Sequence, residues 1–179
     1  MKRVVVQGTS GSGKTTLAQA LADRMGVACV ELDALHHGPN WTEASAAELT
    51  EQVAAAIAGE SWVVDGNYER KLGDLVVDRA DTLVWLDLPL GVCLARLWRR
   101  TSRRIRDDAE LWSGNKESWR GAFWGTESLF VWAVRSHIRR KRTFPARLEQ
   151  LPHLTIVRLR SEAEVESWLA RQAPRSTAG

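Results

Sequence analysis

The chain has 179 residues, enough for one domain with a single substantial core. Its composition, 44% hydrophobic and 26% charged, is that of an ordinary globular protein, and a net charge of +3 is too small to imply a partner by itself. No apolar run approaches the roughly 18 residues that a membrane span needs, so no membrane partner is expected. The distribution of charge says more than its sum. From Gly26 to Glu69 there are eight carboxylates and no Lys or Arg, whereas from Arg96 to Arg147 there are fourteen Lys or Arg against five Asp or Glu. Met1 leads directly into a strand and a glycine loop, so no signal peptide is expected. Cys29 and Cys93 match no metal-ligand spacing and are read as reduced thiols, which suits a cytoplasmic location.

In chain order, Arg3–Gln7 is a β-branched run and the first predicted strand. After the glycine-rich stretch Gly8–Gly13, the segment Lys14–Met25 carries Leu17, Ala18, Leu21, Ala22 and Met25 at helical spacing, with Gly26 as its stop. Ala28–Leu32 is strand two. Ser45 and Glu48 form a capping box that opens a helix with Leu49, Val53, Ala56 and Ile57 on one face. Trp62–Val64 and Thr82–Leu86 are strands three and four, and Pro89 starts the next helix. Thr155–Leu159 is strand five, followed by a second capping box at Ser161 and Glu164 and a last helix; residues 173–179 read as a frayed tail. No internal repeat appears. Short apolar strands alternating with helices predict an α/β fold, a parallel sheet covered on both faces. The stretch Thr101–Arg147 interrupts the alternation and is read as a helical insertion or lid, within one domain spanning 1–172.

Gly8-Thr-Ser-Gly-Ser-Gly13-Lys14-Thr15 matches G-x-x-x-x-G-K-[ST] completely, between a predicted strand and a predicted helix. Glycines let successive N–H groups turn inward onto phosphate oxygens, and the helix N-terminus adds partial positive charge. Gly8, Ser10, Gly11, Ser12, Gly13, Lys14, Thr15 and Thr16 are therefore the expected nucleotide-binding residues. Lys14 is expected to reach the terminal phosphates and the Thr15 hydroxyl to ligate magnesium.

Three predicted strands end in an acid: Asp33, Asp65 and Asp87. Ligands of an open parallel sheet sit beyond these strand ends. Asp65, followed by Gly66, is the expected magnesium-side carboxylate, with Thr15 as the other metal ligand. Asp33 is the candidate for orienting or deprotonating an acceptor hydroxyl. Asp87, before Leu88-Pro89, is read as a cap for the next helix. His36 and His37 are adjacent, so they cannot point the same way on a regular element; they are read as a polar wall of an acceptor pocket or as loop residues.

These residues resemble the adenylate-kinase-like branch of P-loop kinases, and within it the bacterial proteins called DNA topology modulation proteins. The resemblance rests on the P-loop, Glu31-Leu32-Asp33-Ala-Leu-His, Pro39-Asn40-Trp41, Trp62-Val-Val-Asp65-Gly66-Asn67-Tyr68, Leu86-Asp87-Leu88-Pro89 and the arginines after strand four, and it covers nearly the whole chain. It implies a P-loop NTPase fold with five parallel strands, ATP and Mg2+ as cofactors, and an arginine-bearing lid. It also implies adenine recognition by the loop Arg160–Ala163. The chain departs from nucleoside monophosphate kinases, which have Asp-Gly-Phe-Pro-Arg where this sequence has Asp65-Gly66-Asn67-Tyr68-Glu69-Arg70. Those enzymes also hold the acceptor phosphate with arginine between strands two and three, where this chain has no basic residue. A phosphate dianion there would face carboxylates, so a neutral or cationic acceptor is expected.

Arg96, Arg99, Arg100, Arg103 and Arg104 recur at three- and four-residue spacing and are read as sharing one face. In a kinase such arginines neutralise the transferring phosphoryl group, and Arg99, Arg103 and Arg104 are the candidates by position. The second basic run, Arg139-Arg-Lys-Arg142, lies among aromatics that are read as helix-packing residues. The resulting expectation is an ATP- and Mg2+-dependent small-molecule kinase. The alternatives are a regulatory NTPase acting on nucleic acid, a nucleoside monophosphate kinase, or a module that holds nucleotide without turnover.

Overall fold

A computed structural model describes residues 1–124 and 128–172 of the chain; the segment read as a tail, 173–179, lies outside the described residues. Five strands, β1 (Arg3–Gly8), β2 (Cys29–Glu31), β3 (Trp62–Asp65), β4 (Thr82–Leu86) and β5 (Thr155–Leu159), form one sheet of order β2-β3-β1-β4-β5. Every neighbouring pair is parallel. The helices are α1 (Lys14–Met25), α2 (Leu32–His36), α3 (Ala46–Ala56), α4 (Glu69–Leu72), α5 (Leu75–Arg79), α6 (Leu90–Arg106), α7 (Trp119–Phe123), α8 (Leu129–Glu149) and α9 (Glu162–Ala170). Strand two is shorter than predicted because the chain turns into α2 at Leu32.

Period-two alternation divides the strand residues between two cores. Val5, Val64, Leu83 and Trp85 face Leu49 and Val53 of α3, Val76 and Val77 of α5, and Phe144 of α8. Val4, Val6, Val63, Val84 and Leu86 face Leu17 and Leu21 of α1 and Trp168 of α9. Both faces are covered by apolar side chains, as the apolar runs of β1, β3 and β4 require. The α3 capping box is complete: Ser45 N donates to Glu48 at 2.9 Å and Glu48 N to the Ser45 hydroxyl at 3.2 Å. At α9 only half of the predicted box forms. Glu164 N donates to Ser161, but the Glu164 carboxylate accepts from Arg160 N rather than from the cap residue.

The long interruption folds as the end of α6, a turn, α7 and α8. Although the stretch is polar, α8 enters the core: Phe144 is buried edge-on against Trp85 at 5.0 Å, and Leu148 and Leu151 pack beside it. Asp87 is not a helix cap. Pro89 precedes the first turn of α6, while Asp87 accepts from Arg158 of β5 at 2.6 and 3.0 Å. The Arg158 guanidinium also lies over the Trp85 ring at 4.3 Å. No helix among the described residues is long and apolar enough to cross a membrane.

Trp85 thus joins the sheet to α8. Replacing it by Ala is expected to cost about 3–5 kcal/mol, the range for deleting a large buried aromatic. Urea unfolding measures this, and a loss below about 1 kcal/mol would show that α8 does not depend on the sheet for its seat.

Candidate active site

The sheet order reverses around β1, and the loop Gly8–Gly13 leaves β1 at that point. Ser12 N donates to Thr9 O at 3.0 Å, closing the loop, and Gly13 caps α1 at φ 92°. Gly11 is left-handed at φ 81°, and a Cβ there would stand 2.2 Å from the Cys93 carbonyl of α6. Only glycine fits that close approach.

Three side chains converge on the loop. The Thr15 hydroxyl donates to Asp65 Oδ2 at 2.5 Å, and Lys14 Nζ donates to Thr9 O at 3.4 Å. Asp65 stands at the end of β3 in register with Val6 of β1, is 5% exposed, and has an Oδ1 with no hydrogen-bond partner among the described residues. Burial pushes the Asp65 carboxyl above its ordinary value, partly opposed by Lys14 and Thr15. Burial likewise pushes the Lys14 ammonium down, opposed by Asp65 and Asp33. A buried carboxylate oxygen without a donor, beside a hydroxyl, is a donor set suited to a hard cation. Among the described residues, the Asp65 site included, no three His, Cys, Asp or Glu side chains gather as a metal cluster.

The Asp65-Gly66-Asn67-Tyr68 element is explained residue by residue. Gly66 has φ 148°, and a Cβ there would meet Leu32 at 2.8 Å. Asn67 grips the start of the loop from both sides, donating to Gly8 O at 2.7 Å and accepting from Gly8 N at 3.1 Å. The Tyr68 hydroxyl donates to Asp33 Oδ1 at 2.6 Å, and burial together with Asp33 raises the pKa of that phenol, so it stays protonated. Asn67 and Tyr68 thus hold the phosphate loop and Asp33 on one short segment. The sequence motif marked these positions, but their partners could not be read from it.

At the end of β2, Glu31 Oε2 accepts from the Trp112 indole N–H at 3.3 Å. Trp112 lies stacked on His37, with ring centres 5.9 Å apart. His36 is buried against Tyr68 and 3.4 Å from Glu43. The cation that reaches this loop is Lys71, bonded to Glu43 at 2.9 Å and to Ala44 O at 3.1 Å, whereas Arg70 is exposed.

The arginines of α6 divide across the helix face into an exposed row and a half-buried row. Arg99 and Arg103 are exposed, and Arg104 pairs with Glu117 at 3.2 Å. Arg96 donates to Ser12 O at 3.3 Å and pairs with Glu162 at 2.8 Å, tying the phosphate loop to α9. Arg100 points inward, its Nε buried without a partner among the described residues, and burial lowers its pKa against the pull of Glu117, Asp33 and Asp65. Arg140 of α8, not singled out by sequence reasoning, has a buried, unpartnered Nη1; its positive charge reaches Lys14, and Glu69 opposes the effect of burial on it. One turn earlier on α8, His137 Nδ1 lies 3.0 Å from the Thr9 hydroxyl.

Comparison with known proteins follows the same lines. A gluconokinase from Sinorhizobium meliloti 1021 shares 19% identity and a TM-score of 0.50, over 96% of this chain and 93% of its own. A shikimate kinase from Acinetobacter baumannii, solved with shikimate, shares 13% identity and a TM-score of 0.57, over 95% and 89%. The shikimate kinase of Bacteroides thetaiotaomicron shares 16% identity and a TM-score of 0.53, over 95% of each chain. At such identities the likeness is one of fold. No curated protein sequence matches the chain. Residues 4–118 match the AAA domain family, a match that takes in the phosphate loop, Asp33, Asp65 and the arginines of α6. The chain belongs to the AAA domain family, built on the P-loop fold that these kinases share.

Proposed function

We propose that the protein is an ATP- and Mg2+-dependent kinase that transfers the γ-phosphoryl group to a hydroxyl of a neutral or cationic small molecule. The observation that carries this reading is the convergence of Lys14, Thr15 and Asp65 on the glycine loop, with one Asp65 oxygen left without a donor. The fold shared with small-molecule kinases supports it. The Asp-Gly-Asn-Tyr element further supports assignment to the DNA topology modulation subgroup.

In this reading the loop amides and Lys14 bind the polyphosphate, and Arg100 and Arg140 stabilise charge on the phosphoryl group in flight. Thr15 and Asp65 would hold Mg2+, which supplies charge neutralisation to the phosphate oxygens when bound. Asp33, oriented by Tyr68, accepts the acceptor's hydroxyl proton. The acceptor oxygen forms a bond to the γ-phosphorus, the bond from that phosphorus to the bridging oxygen breaks, and ADP leaves. The acceptor class follows from charge. Among the described residues no ion pair includes Glu31 or Asp33, and their hydrogen-bond donors are the neutral Trp112 and Tyr68. A phosphorylated acceptor would meet these carboxylates with the wrong sign.

Three outcomes test the reading. ADP formation by the purified protein should rise with hydroxylated neutral or amino-bearing metabolites and not with AMP or CMP; strong transfer to a nucleoside monophosphate would refute the acceptor class, and stimulation by DNA alone would favour a regulatory NTPase. Asp33→Asn should lower acceptor-dependent turnover by about 10²–10⁴ with MgATP affinity retained. Arg100→Ala and Arg140→Ala should each lower turnover at least about 10²-fold, against about threefold or less for Arg99→Ala and Arg103→Ala. The reverse ranking in steady-state assays would return the phosphoryl contact to the solvent-facing pair.

A further inference from the structure

Two nine-residue segments flanking the acceptor side have one backbone design, although their sequences differ. An antiparallel bridge joins His37 to Glu43, and its counterpart joins Glu110 to Lys116. Gly38 N donates to Thr42 O at 2.8 Å, as Leu111 N does to Asn115 O at 2.7 Å. Thr42 N donates to Pro39 O and Asn115 N to Trp112 O, both at 3.2 Å. The left-handed pair Asn40 (φ 55°) and Trp41 (φ 57°) recurs as Ser113 (φ 58°) and Gly114 (φ 75°). Each segment ends on a serine cap, Ser45 before α3 and Ser118 before α7. The chain therefore does contain a repeat, one of backbone rather than of sequence.

The two turns are bonded to each other. Asn115 is 4% exposed, and its side-chain amide is used at both ends: Oδ1 accepts from Trp41 N at 2.8 Å, while Nδ2 donates to Gly38 O at 2.9 Å and Trp112 O at 2.8 Å. The Ser113 hydroxyl donates to His37 O at 2.9 Å, and the Trp41 indole donates to Lys116 O at 3.3 Å. Across this joint Trp112 rests on His37 and reaches Glu31.

We infer that segments 37–45 and 110–118 form a clasp that opens and closes as one unit, with Asn115 as the positioning residue that seats them. The clasp makes His37 and Trp112 a single wall beside Glu31. That this wall belongs to an acceptor site rests on the proposed kinase reading; the coupling of the two segments does not. An asparagine amide spent on three backbone-level bonds cannot be lost from one turn without leaving polar groups unpaired in the other. Opening should expose the acceptor side and leave the phosphate loop, held by α6 and α8, in place.

Hydrogen exchange on the full chain tests the coupling. In Asn115→Ala, the amides of Gly38 and Ala44, whose own acceptors Thr42 O and His36 O are untouched, should exchange at least about tenfold faster, together with Leu111. The Val63 amide of β3 should keep its wild-type rate, and MgATP affinity measured by calorimetry should stay within about twofold. Acceleration of Leu111 with Gly38 and Ala44 unchanged would overturn the clasp. If Asn115→Ala accelerates Val63 as well, Ser113→Ala decides, since it removes one bond at an exposed position: a smaller rise shared by both segments supports the clasp, and a one-sided or absent change overturns it. Once an acceptor is known, its KM should rise in Asn115→Ala while that for ATP holds. Failure to find any acceptor would count against the kinase reading and leave the exchange result standing.

Discussion

Asp65, buried, and Lys14, half-buried, set opposite charges near one another where two strands and a helix meet, and the surrounding structure is arranged around them. Desolvation opposes the charged form of each, and their mutual attraction only partly compensates. Such a pair is tolerable where further hydrogen bonds complete its shell. Thr15 supplies one, and the second Asp65 oxygen is buried without a hydrogen-bond partner among the described residues. The strand order makes this possible. With β3 hydrogen-bonded to β1, Asp65 falls in register with Val6 and so within reach of the first turn of α1. Had β2 been the neighbour of β1, the carboxylate at that place would have been a different one.

What could be read from sequence was whatever depends on near neighbours in the chain. The glycine loop, the body of each of the five strands, the first capping box and Asp65 at the end of β3 are local patterns and stand where those patterns placed them, whereas strand two ends early and Asp33 falls inside α2. Partners across the fold were not legible. Asp87 looked like a cap because Pro89 follows it, but its guanidinium partner, Arg158, comes from β5. Asn67 and Tyr68 marked a motif without disclosing that they bind Gly8 and Asp33.

The arginines of α6 show how spacing alone leaves exposure undecided. A rotation of about 100° per residue puts a residue three positions on at about −60° and one two positions on at about 200°. Measured from the buried row Cys93, Leu97 and Thr101, Arg96, Arg100 and Arg104 flank the inward stripe, while Arg99 and Arg103 lie on the far side. Spacing among the arginines themselves says only that some share a face. Spacing from the buried residues says which face. Arg140 carried no comparable mark, since it sits within Arg139-Arg-Lys-Arg142, a run that reads as a solvated surface.

Helix α8 connects these observations. His137, Arg140 and Phe144 follow one another at three- and four-residue spacing, so one helix face meets the phosphate loop, the charged site and the apolar core in succession. Phe144 is held beneath Trp85, and that contact sets the rotation and height at which Arg140 stands one turn away. On α6, the buried pair Cys93 and Leu97 packs under Gly11 and sets Arg96 and Arg100 in the same manner. Both arginine-bearing helices are therefore anchored in the body of the protein, and neither can swing as a free flap without breaking core contacts. Any closing motion must fall outside both helices, in the turn bearing Trp112 and Asn115, which follows the left-handed Asp108, together with the turn 37–45 bonded to it. Under the proposed kinase reading, charge stabilisation is therefore built in before substrates arrive, and what remains to move is the wall on the acceptor side.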